Sequence, residues 1–316
     1  SMLARRLLGD CRPEDMDIIE TACDRVDGRP DCADFTLAML LRMYHWENTA
    51  PAAKNRIKQT AVGFRYWTDE DGSDAMCFGS ENHSLLFHSC QRIAGLLFPD
   101  AHFSAGNRNG REQAAIGLKR CRDWFDRIEP YGFQEFLSST YMPITVAALL
   151  NVFDFIDDDA TAARAAALTD RIFRTFARQA YDGVTTGPQG RVYRGVLYPE
   201  TSGSQALLSF ALPDVPPADH AWLVYPASSS YEPPADLAAL AAQPQICRYR
   251  EFNADICLHK TTDFCLSSVQ LPAAFKPLPE FRHLQPGVAG YQQHLWHATL
   301  GRGCHIFVNH PGSFHD

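Results

Sequence analysis

The sequence lacks two features that would assign it to a class of protein at once. It has no apolar run near the roughly 20 residues that a membrane-spanning helix requires, and no run of basic residues that could neutralise nucleic-acid phosphates. Lys and Arg number 29 against 37 Asp and Glu, so the formal net charge is -8. We therefore expect neither a membrane nor a nucleic acid as a partner of this chain.

Cysteine occurs ten times but never as a C-x-x-C pair. Several of the ten lie at apolar positions of predicted helices or strands, which is typical of small buried hydrophobic residues and not of zinc ligands or a disulfide framework. This usage favours a reducing, cytoplasmic compartment. No cofactor is expected, and no residue is assigned to a metal.

The N-terminal two-thirds of the chain is predicted to be helical from apolar spacing and helix-start residues. The predicted helices cover residues 13–26, 34–46, 51–64, a stretch beginning after Ser80, and residues 111–128, 140–155 and 160–181. Amphipathic helices alternate with almost wholly apolar ones, which indicates nested helical layers. We therefore predict an N-terminal α/α toroid, an incomplete barrel of helical hairpins.

The C-terminal part is predicted to be an antiparallel sheet or sandwich, because β-branched and aromatic residues recur between turn signals. The predicted strands cover residues 246–252, 256–260, 264–271, 294–300 and 304–309. The fold class is therefore α+β and multidomain. We place the toroid at residues 1–212, a Pro-rich linker at 213–245 and the β domain at 246–316, and we expect that domain to continue beyond the given chain.

Two stretches place polar, chemically capable side chains just ahead of an apolar helix. In the first, Ser80 is a candidate N-cap, and Glu81, Asn82 and His83 follow in the first helical turn. The second is Y-G-F-Q-E-F-L-S-S-T-Y at residues 131–141. Polar triplets such as Glu81 to His83 also occur simply as helix caps or as solvent-exposed polar residues. The functional interpretation therefore depends on the presence of two similar stretches in one chain.

The stretches at residues 80–88, 131–141 and 290–301 resemble those of heparinase II/III-like and related toroidal carbohydrate-active proteins. The layout of a helical toroid followed by a β domain resembles that of several polysaccharide lyases. The same scaffold is shared by toroidal glycoside hydrolases, including uronidases. The resemblance therefore implies a poly- or oligosaccharide partner, and it leaves the reaction and a homo-oligomeric state open.

If the chain is a lyase, the resemblance implies a role for each candidate. A uronate lyase must neutralise the sugar carboxylate, remove the proton at C5 and protonate the leaving oxygen. Asn82 is the candidate neutraliser, His83 the candidate base and Tyr141 the candidate acid. Residues expected to bind substrate lie in loops: Arg191, Tyr193, Arg194, Trp67 and Tyr198.

Two other functions stay open. A glycoside hydrolase needs two carboxyl groups that face one bond, and Glu81 and Glu135 form the natural pair. The acidic residues of the loop at 65–79 are weaker candidates, because acidic loops are usually solvated. A glycan-binding protein without activity would instead use aromatic residues near loops to stack on sugars, and the candidates are Tyr66, Trp67, Trp124, Phe133 and Trp296.

Overall fold

The computed structural model describes residues 2–192, 198–252, 254–270, 294–301 and 303–309. Over these ranges the chain combines α-helices with a five-stranded antiparallel sheet, so the predicted α+β mixture is confirmed. None of the helices described there has the length and apolar character needed to cross a membrane.

The helices follow the predicted order closely. They are α1 (Met2–Leu7), α2 (Asp15–Asp27), α3 (Ala33–Tyr44), α4 (Pro51–Gly63), α5 (Glu81–Leu97), α6 (Gly110–Tyr131), α7 (Tyr141–Phe155), α8 (Asp159–Gln179), α9 (Gly203–Ala211), α10 (Val224–Ala227) and α11 (Leu237–Ala242). Each predicted helix is present as one of α2 to α8, and no predicted end is displaced by more than three residues. Helices α1, α9, α10 and α11 were not predicted, since helices of nine residues or fewer hold too few apolar repeats to show a period.

The sheet is a meander in which each strand pairs antiparallel with the next. Its strands, in the order that they lie side by side, are β3 (Gln245–Glu251), β4 (Ala254–Lys260), β5 (Cys265–Gln270), β6 (His294–Gly301) and β7 (Cys304–Asn309). Alternate residues of β4 are buried, as period-2 alternation predicts. A small hairpin of β1 (His102–Phe103) and β2 (Arg108–Asn109) was not predicted, because two-residue strands leave no pattern.

The chain forms two compact units. The first comprises Ser1–Asp126 with Ala148–Ala165, and the second comprises Arg127–Ala147 with Ala166–Asp316. The segment predicted as a linker contains α10 and α11 and belongs to the second unit. The predicted domain limits at residues 212 and 246 stay a prediction.

The first unit has a charged group in its helical core. Arg42 of α3 is fully buried, and it donates a hydrogen bond of 2.7 Å to Oδ1 of Asn151. The same guanidinium pairs with Asp154 and lies 5.0 Å from the centroid of the Phe155 ring. Because a buried charge is costly unless it is paired and hydrogen-bonded, these contacts fix how α3 packs against the end of α7.

The long loop that precedes α5 is organised by one buried carboxylate. Glu70 is 4% exposed and accepts hydrogen bonds from the backbone N–H of Tyr66 (2.6 Å) and the side chain of Gln113 (2.7 Å). Arg65 donates to the Glu70 carbonyl at 2.9 Å. The expectation that the acidic residues of this loop are merely solvated is therefore wrong for Glu70, which holds the loop in place.

In the second unit, one lysine joins the sheet to two helix ends. Lys260 of β4 is 3% exposed, and its Nζ donates to the carbonyl oxygens of Arg178, Ala180, Leu240 and Ala241 at 2.9–3.2 Å. These carbonyls lie at the C-terminal ends of α8 and α11, where the helix dipole favours a cation. Burial lowers the pKa of Lys260.

Candidate functional site

The E-N-H turn at the start of α5 is buried. The Ser80 hydroxyl accepts a hydrogen bond of 3.2 Å from the backbone N–H of His83, which confirms Ser80 as the N-cap. Glu81 and Asn82 are 0% exposed and His83 is 6% exposed. The interpretation of this triplet as surface polarity is therefore wrong, because polar groups are buried only where they are bonded or have a function.

His83 is held by a carboxylate from another helix. Its Nδ1 lies 2.8 Å from Oδ2 of Asp34 in the first turn of α3, and its ring stacks on Phe35 with centroids 4.6 Å apart. Burial by itself lowers the pKa of His83, but the hydrogen bond to the Asp34 carboxylate outweighs burial and raises that pKa to about 10. Burial also raises the pKa of Asp34. The pair therefore retains its shared proton at neutral pH.

Two more polar side chains lie near the same imidazole. A ring nitrogen of His83, the Cys32 sulfur and a carboxylate oxygen of Asp31 all lie within 4.8 Å of one another. Cys32 is partly exposed and Asp31 is exposed, so this group opens towards solvent. The residues come from the start of α3 and the start of α5, which places two helix N-termini beside the group.

A second cluster lies in the other unit, around Arg191. One guanidinium nitrogen of Arg191, Nη1, lies 3.5 Å from Oε1 of the fully buried Glu135. Its Nη2 donates to the Tyr141 hydroxyl at 3.3 Å, and its Cζ lies 4.9 Å from the centroid of the Tyr141 ring. Three of the predicted site residues are thus brought together, and Tyr141 is partly exposed.

The cluster forms where the loop that contains Glu135 contacts the loop that contains Arg191. The N–H of Gly190 donates to the carbonyl of Phe136 at 2.8 Å, and the N–H of Ser139 donates to the side-chain oxygen of Gln189 at 2.9 Å. A Cβ on Gly190 would lie only 2.0 Å from the carbonyl oxygen of Gln134. Glycine at position 190 therefore permits the approach that places Arg191 against Glu135.

The loop that contains Glu135 has a strained backbone at one residue and is anchored to the sheet. Leu137 has φ of 55°, a left-handed conformation that is unfavourable for a side chain of this size. At the start of the loop the N–H of Phe133 donates to Oε2 of Glu251 at 3.0 Å, and Arg171 binds both oxygens of that carboxylate. Burial raises the pKa of Glu251 in spite of the Arg171 charge. Glu251 thereby ties the loop to β3 and α8.

The remaining candidates are less engaged. Tyr198 is 58% exposed, and Tyr193 and Arg194 lie outside the described residues. Trp67 is partly buried, with its ring centroid 4.3 Å from that of His88 and the Arg120 guanidinium 5.7 Å from the ring. Part of the Trp67 surface is thus already covered by protein.

The aromatic residues considered for glycan stacking are mostly internal. Tyr66 and Trp124 are 0% exposed and Phe133 is 2% exposed. Trp124 donates a hydrogen bond of 3.0 Å to the Glu81 carbonyl. These three rings cannot form a stacking surface, so a binding role would depend on Trp67 and Trp296, which are partly exposed.

The predicted meeting of the E-N-H turn with the loops around Glu135 and Arg191 stays a prediction, because Asn82 belongs to the first unit and the other two residues to the second. Asp34, the first residue of a predicted helix, was not among the predicted site residues. Asp34 is 49 positions from its partner His83, and no local pattern links residues so far apart.

Comparisons with known proteins provide no relative on which to base a function. No family model, no curated protein sequence and no solved structure matches the chain. The resemblance to toroidal carbohydrate-active proteins therefore stays a prediction, and the geometry of the described residues carries the functional proposal.

Proposed function

We propose that the protein is an enzyme that cleaves glycosidic bonds in a uronic-acid-containing poly- or oligosaccharide by β-elimination, on an α/α toroid followed by a β domain. The observation that carries the proposal is the contact of the Arg191 guanidinium with both the buried Glu135 carboxylate and the Tyr141 hydroxyl. A fixed cation beside a partly exposed phenol is the combination that elimination from a uronate needs.

The first requirement is neutralisation of the sugar carboxylate. The planar guanidinium of Arg191 has several N–H donors, so it can bind a second carboxylate while one nitrogen stays near Glu135. Arg191 has 13% of its side chain exposed, which leaves an edge for a ligand. Neutralising the carboxylate of a uronate makes the adjacent C5–H more acidic.

The second requirement is a group that handles the proton. The guanidinium beside Tyr141 stabilises negative charge on the phenol oxygen. In its anionic form Tyr141 takes the proton from C5, the C4=C5 double bond forms and the bond from C4 to the leaving oxygen breaks. The same phenol then returns the proton to the leaving oxygen, so that Tyr141 serves as both base and acid.

Glu135 has a positioning role in this proposal. Its carboxylate balances the charge of Arg191 and fixes the direction of the guanidinium. Asn82 as a carboxylate neutraliser and His83 as a base remain predictions for the other cluster. Tyr141 is favoured for proton transfer because it is partly exposed, whereas the His83 ring is almost fully buried and engaged by Asp34.

The test is a panel of uronic-acid polysaccharides and oligosaccharides, followed by ultraviolet absorbance and by reducing-end release. Elimination raises both signals together, because each cleavage leaves an unsaturated uronate. Tyr141→Phe should lower the rate by about 100-fold or more, the usual contribution of a general acid or base. The exposed Tyr131 provides the matched control, and Tyr131→Phe should leave the rate unchanged.

Three outcomes would contradict the proposal. Reducing ends without absorbance would establish hydrolysis and direct attention to Glu81 and Glu135. If ultraviolet absorbance increases at the wild-type rate in Tyr141→Phe, the reaction is still an elimination but Tyr141 takes no part in it. Binding of a glycan with neither signal would favour the non-catalytic alternative.

A further inference from the structure

A second kind of chemistry is present at the start of α3, where no ligand was expected. Asp31, Cys32 and His83 offer a carboxylate oxygen, a sulfur and a ring nitrogen that lie within 4.8 Å of one another. Among the residues that the structure describes, this is the one group of three potential metal ligands that lie so close together.

We propose that Asp31, Cys32 and His83 bind a divalent transition-metal ion of the zinc type, with a fourth coordination position left for water or an exogenous ligand. Three protein ligands and one open position are the arrangement of zinc sites that act on small molecules. This inference is independent of the proposed elimination, because it concerns residues of the first unit and is tested by metal binding.

The strongest support comes from Asp34. Histidines that bind metals almost always donate their other ring N–H to a carboxylate or carbonyl, which fixes the tautomer and the ring orientation. The Asp34 carboxylate lies 2.8 Å from Nδ1 of His83 and is fully buried, and Phe35 stacks on the ring. Nε2 is then the ring nitrogen that would bind a metal, and it releases its proton when the metal binds.

The backbone around Cys32 gives a second, independent observation. Cys32 has φ of 62° and ψ of 21°, so a non-glycine residue occupies the left-handed conformation at the N-cap of α3. Its N–H donates to Oδ1 of Asp31 at 3.0 Å. Unfavourable conformations of this kind concentrate where the chain must direct side chains to a ligand.

The distances allow a metal after a small adjustment. In a tetrahedral zinc site the ligand atoms lie about 3.5 Å apart, as follows from metal–ligand distances near 2.0–2.3 Å. Asp31 is exposed and Cys32 is partly exposed, so rotation of their side chains can bring the ligand atoms to this spacing while His83 stays fixed. A thiolate and an imidazole select zinc or cobalt over magnesium and calcium, which prefer oxygen ligands.

The test begins with the intact protein, whose metal content is measured as purified and after treatment with a chelator. The chelated protein is then titrated with Zn²⁺, Co²⁺, Mg²⁺ and Ca²⁺. We expect one equivalent of Zn²⁺ or Co²⁺ to bind, with a thiolate-to-cobalt charge-transfer band in the Co²⁺ form, and no binding of Mg²⁺ or Ca²⁺ in the same range.

Variants assign the ligands. Cys32→Ser should abolish the charge-transfer band, and Asp31→Asn, at an exposed position where folding is not at risk, should weaken Zn²⁺ binding at least 10-fold. Asp34→Asn tests the positioning residue and should weaken binding about 10- to 100-fold while the band remains. Cys11→Ser is the matched control, since Cys11 is an exposed cysteine of the same unit, and should change nothing.

Alkylation of the thiols gives a readout that does not need the variants. Zn²⁺ should protect Cys32 from an alkylating reagent and leave Cys11 unprotected. The proposal is overturned if Zn²⁺ binds Cys32→Ser as well as the wild type, if Mg²⁺ binds equally well, or if Cys32 reacts rapidly with or without Zn²⁺. The last result would instead indicate a nucleophilic thiol assisted by His83.

Discussion

The two clusters carry the same kind of sequence signal but are held together by different parts of the fold. At the start of α5, His83 is fixed by Asp34 of α3, so two helices hold the pair. Around Arg191, two loops are joined by the hydrogen bond from Gly190 to Phe136, and no helix supplies the guanidinium. One cluster therefore depends on helix packing and the other on close approach of backbones.

Because of this difference, we expect the two clusters to respond differently to substitutions. A site on packed helices loses stability when a buried partner is removed, because the group left behind is uncompensated. A site on loops loses its geometry when the loops are separated, even if the core stays folded. The two clusters can therefore be distinguished by comparing stability with activity in matched variants.

The largest expected effect is on the pH dependence of stability at the helix-held pair. The hydrogen bond to Asp34 overcomes burial and raises the folded-state pKa of His83 to about 10, above its ordinary value of 6.5. Because the folded protein holds the proton more tightly, the contribution is complete below about pH 6.5 and is lost as the pH rises through about 10.

The measurement is the free energy of unfolding in chelator-containing buffers across that range. We compare the wild type with the Asp34→Asn, His83→Gln double variant, which lacks both titrating groups. The stability excess of the wild type should fall as the pH rises. An excess that is constant or grows with pH would show that the pair does not retain its proton.

Asp34→Ala should have the next largest effect. It leaves the buried His83 without its carboxylate and opens a small cavity, at a cost of about 3 kcal/mol in the free energy of unfolding. Denaturation by urea measures this cost. The control is Asp71→Ala at an exposed position, which should stay within about 0.5 kcal/mol of the wild type, and equal effects of the two variants would refute the buried-pair interpretation.

Gly190→Ala tests the loop-held cluster. The added methyl group meets the Gln134 carbonyl oxygen, so the loops must separate, which we expect to cost about 2 kcal/mol. Activity should fall much further than this loss of stability would explain, because Arg191 moves away from Tyr141. Gly63→Ala is the control, because a Cβ there meets nothing within 4 Å, and full activity in Gly190→Ala would show that the loop contact does not position the guanidinium.

The smallest expected effect concerns two helices that have a serine as the N-cap. Ser80 caps α5 and Ser202 caps α9, each by accepting a hydrogen bond from a backbone N–H. Replacing either by Ala should cost about 1 kcal/mol by urea denaturation. Ser80→Ala should in addition weaken Zn²⁺ binding, because the cap fixes the backbone of His83, and Ser202→Ala should not.

Much of the secondary structure was predictable because its causes are local. Apolar residues at steps of three and four, Pro51 at a helix start and the Ser80 cap predicted α4 and α5 within a few residues. Alternation predicted β4, but it gave no indication that the last residue of that strand, Lys260, is buried against helix carbonyls. Helices as short as α10 left no signal.

The candidate site was predictable only in part. The sequence singled out Glu135, Tyr141 and Arg191 as chemically capable residues, and the structure brings them into contact. Nothing in the sequence connects His83 with Asp34 or Cys32, because an acidic residue and a cysteine near a helix start are common without any role. Their approach to the His83 ring in the folded chain is what distinguishes them.

The sequence by itself determined where the principal helices and strands form, since periodicity, caps and turn residues act over a few neighbouring positions. Only the tertiary structure decided which polar groups became partners. His83 found its carboxylate 49 positions away, and Arg191 reached Glu135 because Gly190 lets two backbones meet. Such pairs form because burial makes an unpaired charge or polar group costly, and that cost exists only once the chain has folded.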